Sequence, residues 1–151
     1  MILGFLGKGG SGKSSISTQM TLHLAARGAT VLAVDADHNM DLSYNLTNGV
    51  NPNTHFLGEA LQDIADHVDL TDVAEYRKLF SHHTSYRFRL DPLDSFTNKY
   101  SAQVDENLLL MTAGPQTEQV LYGKTCSHIL TTPLKIYLPL LKLTGEQAVV
   151  V

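Results

Sequence analysis

One short run near the amino terminus constrains this chain more than any other feature. Residues 7–14 read Gly-Lys-Gly-Gly-Ser-Gly-Lys-Ser and match the pattern G-x-x-x-x-G-K-[ST] in full. Glycines let a backbone wrap closely around a phosphate, and the first N–H groups of a following helix supply further donors. The pattern therefore predicts a phosphate-binding loop, or P-loop, made of Gly7, Lys8, Gly9, Gly10, Ser11, Gly12, Lys13, Ser14 and Ser15.

The segments around this loop have the order that such a site requires. Residues 1–6 form an apolar run that is typical of a buried strand, and residues 29–34 form a second one. Between them, Ile16, Met20 and Leu24 recur every four residues, which predicts a buried helix face. We therefore expect an α/β fold with a doubly wound, mostly parallel sheet, of the P-loop nucleoside triphosphatase type.

An acidic stretch, Asp-Ala-Asp-His-Asn-Met-Asp, follows the second predicted strand at residues 35–41. Ligands of open α/β sheets bind beyond the carboxyl ends of the strands, so this stretch is expected on the same edge as the P-loop. One carboxylate there can orient or deprotonate an attacking water, and another can hold Mg²⁺. The alternative is an acidic turn that caps a short helix opening at Leu42. At this spacing from a P-loop we favour the functional interpretation.

Within the loop, two side chains have predicted roles. Lys13 is expected to reach the β- and γ-phosphates, and the Ser14 hydroxyl is expected to ligate Mg²⁺. The sequence thus predicts a nucleotide together with Mg²⁺ as the ligands.

Further elements are predicted along the rest of the chain. Amphipathic spacing indicates a helix over residues 57–68, and Thr71 with Asp72 indicates the start of another helix that runs to about residue 82. Residues 84–105 indicate loops around one or two short strands. Residues 108–111 and 147–151 are expected to be buried strands. A helix over 118–143 is expected to be interrupted, because Pro133 and Pro139 fit poorly inside a helix.

The last predicted strand bears on domain organisation. In P-loop proteins such a strand delivers the Walker B aspartate, which holds Mg²⁺, at its carboxyl end. We therefore expect residues 1–151 to be the amino-terminal part of a single P-loop domain, cut before that aspartate. The alternative is a naturally short chain whose last strand forms a sheet edge.

Composition limits the possible classes of function. The chain has 151 residues, a net charge of −4 and no block of basic residues, so no nucleic-acid-binding surface is visible. No apolar run approaches the roughly 20 residues of a membrane span, and no secretory signal precedes the first strand. One cysteine, Cys126, excludes a disulfide framework within the chain. Together these features predict a cytoplasmic protein.

At these residues the chain resembles the deviant-Walker-A ATPases, which include MinD, ParA, the nitrogenase iron protein and the carbon monoxide dehydrogenase accessory ATPase. The resemblance rests on Lys8 inside the P-loop and on the Asp35-Ala36-Asp37 run. Asn39 adds to the likeness with the accessory ATPase. The spacing from Asp37 to Asp41 and the pair Gly114-Pro115 add to the likeness with the iron protein.

The resemblance implies an ATPase that works as a homodimer gated by ATP and ADP. Lys8 would cross to the nucleotide of the partner, and Lys13 and Asp37 would complete the catalytic set, with Asp37 activating the water. Ser14, Asp35 and Asp41 would lie at Mg²⁺. The nearest branches imply a role in the maturation or metal loading of a client metalloenzyme.

Two departures from the family pattern are relevant. His38 stands where the accessory families have a proline, and Cys126 stands alone where the nickel-inserting type carries a Cys-x-Cys pair. A metal held between two Cys126 thiolates of a dimer, with or without His128, is therefore the weaker alternative to a buried structural cysteine.

Two other functions stay open at this point. One is a positioning switch of the ParA or MinD kind, which needs a DNA-binding or membrane-binding element that is not visible in 1–151. The other is a module that binds nucleotide without hydrolysing it. The resemblance alone favours ATP over GTP.

Overall fold

The computed structural model describes residues 1–80, 85–115 and 131–151. Within these ranges the chain forms seven strands and five α-helices. The strands are β1 (Ile2–Leu3), β2 (Thr30–Asp35), β3 (Phe88–Arg89), β4 (Ser101–Asp105), β5 (Leu108–Thr112), β6 (Leu141–Lys142) and β7 (Gln147–Val150). The α-helices are α1 (Lys13–Ala26), α2 (Asp41–Thr47), α3 (Leu61–His67), α4 (Ser95–Tyr100) and α5 (Thr132–Leu140), and two 3₁₀ helices span Leu57–Glu59 and Val73–Phe80.

The main sheet has five strands in the order β1-β7-β2-β5-β4. The first four run parallel, and β4 pairs antiparallel to β5. In the register of the central pairs, Val31 lies opposite Leu108 and also opposite Ala148. The predicted mostly parallel α/β sheet is therefore confirmed. A separate two-stranded parallel sheet joins β3 to β6.

Helices cover both faces of the main sheet, as a doubly wound fold requires. Alternate side chains of β2 enter two apolar clusters, with Val31 and Ala33 in one and Leu32 and Val34 in the other. Met20 of α1 packs against the first cluster, and α3, α4 and α5 contribute to the second. The sequence of β2 is apolar almost throughout, because both faces of this strand are covered.

The buried face of α1 differs from the prediction. Ile16 is 53% exposed, and the fully buried positions are Ser17, Thr18 and Thr21. Small side chains there let the helix approach the sheet closely. The hydroxyls of Ser17 and Thr18 donate to the carbonyl oxygen of Ser14, which satisfies them within the helix.

One other predicted strand is shorter than expected, one predicted helix is of a different type, and one helix was missed. Strand β1 covers Ile2–Leu3 rather than residues 1–6, and the helix expected from residue 72 is a 3₁₀ helix, described as far as Phe80. Helix α4 lies inside the stretch expected to hold loops and short strands. Asp94 caps it by accepting from the Thr97 N–H at 2.8 Å, a local signal that sequence periodicity over six residues cannot show.

The prolines of the last helix occupy tolerated positions. Pro133 lies in the first turn of α5, where its missing N–H costs nothing, and Pro139 lies one residue before the helix ends. The predictions for Cys126, His128 and the first part of the interrupted helix lie outside the described residues.

Candidate functional site

The P-loop lies between β1 and α1, beyond the carboxyl end of the strand. Gly12, with φ of 83°, is the residue before the first turn of α1, a backbone conformation that glycine adopts without strain. A Cβ on Gly7 would lie 2.7 Å from Ser11 Oγ, so only glycine fits at this position without a shift. Sequence and local geometry therefore agree on the tight loop that a phosphate site requires.

The two lysines of the loop are placed differently. Lys13 begins α1, and its Nζ donates to the carbonyl oxygen of Lys8 at 3.2 Å, so its ammonium group lies over the loop. The Lys8 side chain is exposed, and among the described residues it has no hydrogen-bond or ion-pair partner. The Lys13 ammonium group therefore lies over its own loop, whereas the Lys8 side chain is exposed to solvent.

Asp35 ends β2 and anchors the acidic loop. The residue is only 3% exposed, and its carboxylate accepts from the Ser43 N–H at 2.8 Å and from the Asp37 N–H at 3.3 Å. Burial raises the pKa of Asp35, and the two backbone hydrogen bonds oppose that rise. Both oxygens are thus engaged in holding the loop and the first turn of α2 against the sheet.

Asp37 and Asp41 extend outward from this anchored loop. The Asp37 carboxylate accepts from the Asn39 N–H at 3.2 Å and lies 3.4 Å from His38 Nδ1, while its side chain stays 47% exposed. Asp41 starts α2, which places a negative charge at the positive end of that helix. Helix α2 also shows that the acidic turn caps a helix, so the two interpretations of the stretch are compatible.

The P-loop and the acidic stretch together line two adjoining cavities. One of about 340 Å³ is lined by Lys13, Ser14, Asp35, Asp37, His38 and others. The second, of about 430 Å³, is lined by Gly9, Gly10, Gly12, Lys13, Ser14, Ser15, Asp37, Asn39, Asp41 and Asn45. Lys13, Ser14 and Asp37 line both, and Gly7, Lys8 and Ser11 line neither.

Sequence reasoning missed two polar side chains of this site. Asn39 lies inside the acidic stretch, between Asp37 and Asp41, and Asn45 lies four residues after Asp41 on the same face of α2. That i, i+4 spacing was the available signal for Asn45, once a helix from Asp41 is assumed.

Comparison with known proteins adds an independent line of evidence. The profile of the CobQ/CobB/MinD/ParA nucleotide-binding domain matches residues 3–140. The chain belongs to this family. An uncharacterised ATP-binding protein of Methanocaldococcus jannaschii is 27% identical over 157 residues, a match that covers 100% of this chain and 57% of that relative. The chain therefore spans little more than half the length of that relative.

Membership of the CobQ/CobB/MinD/ParA family confirms the predicted resemblance at the level of MinD- and ParA-like P-loop proteins and supports nucleotide as the ligand. Among the described residues, no group of three His, Cys, Asp or Glu side chains has the geometry of a metal site. Mg²⁺ in nucleotide sites is held through one or two protein oxygens, waters and the phosphates themselves. Ser14 and Asp41 share one cavity, so the donor set fits that mode of binding.

In the part of the chain that the structure describes, no helix combines the length and the apolar content needed to cross a bilayer.

Proposed function

We propose that this member of the CobQ/CobB/MinD/ParA family is a Mg²⁺-dependent ATPase that works as a homodimer and assists the maturation or metal loading of a client metalloenzyme. One observation supports the proposed ATP hydrolysis. Lys13, Ser14 and Asp37 share cavities at one edge of the sheet, while Lys8 extends from the same loop with no partner among the described residues. The client role is supported by the resemblance to the two metal-handling branches.

The chemistry is transfer of the γ-phosphoryl group to water. The water oxygen forms a bond to the γ-phosphorus, the bond from that phosphorus to the β–γ bridging oxygen breaks, and ADP leaves with that electron pair. Asp37, half-exposed at the cavity wall, orients the water and accepts its proton. Lys13 stabilises negative charge on the β- and γ-phosphates, and Mg²⁺, when bound, would supply further positive charge at the phosphates.

Two aspartates beside Asp37 have supporting roles. Asp41 and Ser14 line the same cavity and would hold the Mg²⁺ directly or through water. Asp35 was predicted at the metal as well. Because both of its oxygens accept backbone N–H groups, we propose that it acts chiefly by positioning Asp37 and α2.

Lys8 gives the proposal its dependence on two subunits. A cation that enters the site of a partner stabilises the charge that spreads over the γ-phosphoryl oxygens in the transition state. Such a residue is expected to be exposed and unpartnered in one subunit, as Lys8 is.

Complementation between inactive variants tests this proposal. Lys8→Ala and Asp37→Asn are each expected to lower single-turnover ATP hydrolysis about 100-fold or more while ATP binding changes less than threefold. An equimolar mixture should recover about a quarter of the wild-type rate, because half of the dimers are mixed and each of these holds one complete site. Lys135→Ala, a change at an exposed lysine on α5, is the control and should leave the rate unchanged.

Two outcomes would contradict the proposal. Unchanged rates in both single variants would reject the assigned roles, and two inactive variants that fail to complement would place Lys8 in the site of its own subunit.

For the client role, a deletion strain should lose the activity of a metalloenzyme and regain it with excess metal. Normal metalloenzymes together with misplaced DNA or division septa would instead indicate a positioning ATPase.

A further inference from the structure

A second candidate binding site lies at the opposite edge of the fold from the P-loop. It is a cavity of about 260 Å³ lined by Arg89, Leu90, Asp91, Lys142, Thr144 and Gln147. Gln147 begins β7, so the cavity lies at the amino-terminal edge of the main sheet, whereas the P-loop lies at the carboxyl-terminal edge. Because it shares no lining residue with the two cavities of the nucleotide site, it is a separate feature of the molecule.

The two cations of this cavity are held side by side by the backbone. Strands β3 and β6 pair in parallel, with Phe88 opposite Leu141 and Arg89 opposite Lys142. Phe88 and Leu141 are buried in the core, so the alternation of side chains along a strand turns both cations to the outer face. Core packing of the neighbouring pair therefore fixes where the two charges lie.

This arrangement is unfavourable unless something compensates it. Like charges directly opposite each other on paired strands destabilise a sheet. Among the described residues, neither Arg89 nor Lys142 forms an ion pair, and the chain as a whole carries a net charge of −4. Two adjacent, unpaired cations in an acidic protein are well suited to an anion placed between them.

Hydrogen bonds hold the other residues that line the cavity in place. The Gln147 side chain donates to the Leu90 carbonyl oxygen at 2.9 Å and accepts from the Thr144 N–H at 2.9 Å, so it ties β3 to the turn before β7. The backbone N–H of Arg89 donates to the Asp94 carboxylate at 2.7 Å, which adds a second contact at the same, carboxyl-terminal end of β3. Asp91, the carboxylate in the lining, accepts from the Leu93 N–H at 2.7 Å and is part of this scaffold. A preorganised wall lowers the entropic cost of binding a small ligand.

We propose that Arg89 and Lys142 form a binding site for a small phosphate-class oxyanion, either free phosphate or the phosphate group of a monoester. The planar fork of an arginine donates two hydrogen bonds to such a group, and the lysine adds a compact positive charge. Two positive charges match the charge of about −1.5 to −2 that a phosphate monoester carries near neutral pH. The site does not depend on the function proposed for the P-loop.

Local NMR titration tests this site without interference from the nucleotide site. The full chain, labelled with ¹⁵N and saturated with Mg²⁺ and a non-hydrolysable ATP analogue, is titrated with inorganic phosphate, with glycerol 3-phosphate and with succinate. We expect saturable shifts of the Arg89, Lys142 and Thr144 amide signals with phosphate, with the monoester or with both. Stronger binding of glycerol 3-phosphate than of inorganic phosphate identifies a monoester as the ligand, and the reverse identifies free phosphate.

Variants decide whether the two cations carry the binding. Arg89→Gln and Lys142→Gln should each weaken phosphate binding at least about tenfold, the loss expected for one charge-assisted hydrogen bond. Lys135→Gln, which removes one exposed charge from α5, should stay within twofold of the wild type. Absence of saturable shifts, equal weakening by Lys135→Gln, or succinate binding as tight as phosphate would each overturn the proposal.

Discussion

Gly114 shows how a single residue constrains the edge of the sheet that carries the nucleotide site. Its φ is 97°, and a Cβ at this position would lie 2.8 Å from both Cβ and Cγ of Phe56. The adjacent Ala113 carbonyl accepts from the Gly58 N–H at 2.9 Å, so the segment after β5 is held against the turn that precedes α3. Glycine is required here for two reasons, a backbone conformation and a close approach.

The two requirements can be separated by comparison with Gly49. Gly49 also has a positive φ, of 88°, but a Cβ there would meet no atom within 4 Å. Gly49→Ala is expected to cost about 1–2 kcal/mol of unfolding free energy, and Gly114→Ala should cost clearly more because the contact with Phe56 adds to the backbone strain. Urea denaturation of both variants measures the difference. Equal losses would show that the Phe56 ring moves away without cost.

Asp35 and Asp37 are two residues apart, yet their surroundings give them different roles. Asp35 is buried and bound by two backbone N–H groups, whereas Asp37 stays half-exposed in both cavities. The sequence predicted both at the site, and in the structure both line a cavity together with Lys13 and Ser14 of the P-loop. It assigned Asp35 to the metal, and that assignment stays a prediction. Hydrogen bonds from Ser43, eight residues away, are a tertiary feature that the motif does not reveal.

At the scale of elements, a polar cluster joins α3 to α4. The Asp63 carboxylate accepts from Lys99 Nζ and, at 2.7 Å, from the Tyr100 hydroxyl. These hydrogen bonds lower the pKa of Asp63 below its ordinary value of 3.8, and burial together with Asp63 raises the pKa of Tyr100. The ionised form of Asp63 is therefore the form that stabilises the contact.

The pH dependence follows from the direction of that shift. Because the folded-state pKa of Asp63 lies below the unfolded value, its contribution to stability is complete above 3.8 and is lost as pH falls through the folded-state pKa. Asp63→Asn should remove about 0.5 kcal/mol at neutral pH, the size expected for a partly exposed pair, and flatten the acid limb of the stability curve. Thermal unfolding between pH 2 and pH 7 measures both effects. Glu75→Gln, which removes an exposed carboxylate from a 3₁₀ helix, is the control, and an acid limb unchanged by Asp63→Asn would contradict the prediction.

Helix α1 shows why element faces are harder to predict than elements. The spacing of Ile16, Met20 and Leu24 located the helix correctly, and the apolar pattern placed Ile16 on the wrong side. The P-loop fixes where Lys13 and Ser14 must lie, and this in turn sets the rotation of the helix. Small hydroxyl-bearing residues then face the sheet, and two of them, Ser17 and Thr18, donate to a carbonyl oxygen of the helix itself.

At the scale of the whole molecule, bound nucleotide should stabilise the fold, because it contacts two loops at one edge of the sheet. Strands β1 and β2 are separated by β7 in the sheet, yet the loops that follow them line common cavities. A ligand that bridges these loops binds the folded state alone and therefore stabilises it.

Thermal unfolding with and without nucleotide measures that stabilisation. With Mg²⁺-ADP at about 100 times its dissociation constant, we expect a gain of about 2.7 kcal/mol, or an increase in Tm of roughly 5–10 °C. Lys13→Ala should abolish most of this increase, because it removes the cation that reaches the phosphates, whereas Lys135→Ala should preserve it. An increase that survives Lys13→Ala would place the nucleotide elsewhere in the molecule.

By itself, the sequence determined the fold class and predicted which residues form the nucleotide site. A strand, a glycine-rich loop, a helix and a second strand followed by aspartates are local patterns, and the geometry of parallel sheets brings their ends to one edge. Only the tertiary structure decided which face of α1 is buried, that Asp35 anchors the loop, and that Arg89 and Lys142 lie side by side. The pairing of β3 with β6 joins residues more than fifty positions apart, and no local pattern specifies it. Asp35 is bound by backbone groups only two and eight residues further along, but the loop conformation that brings them to its carboxylate is not specified by the motif.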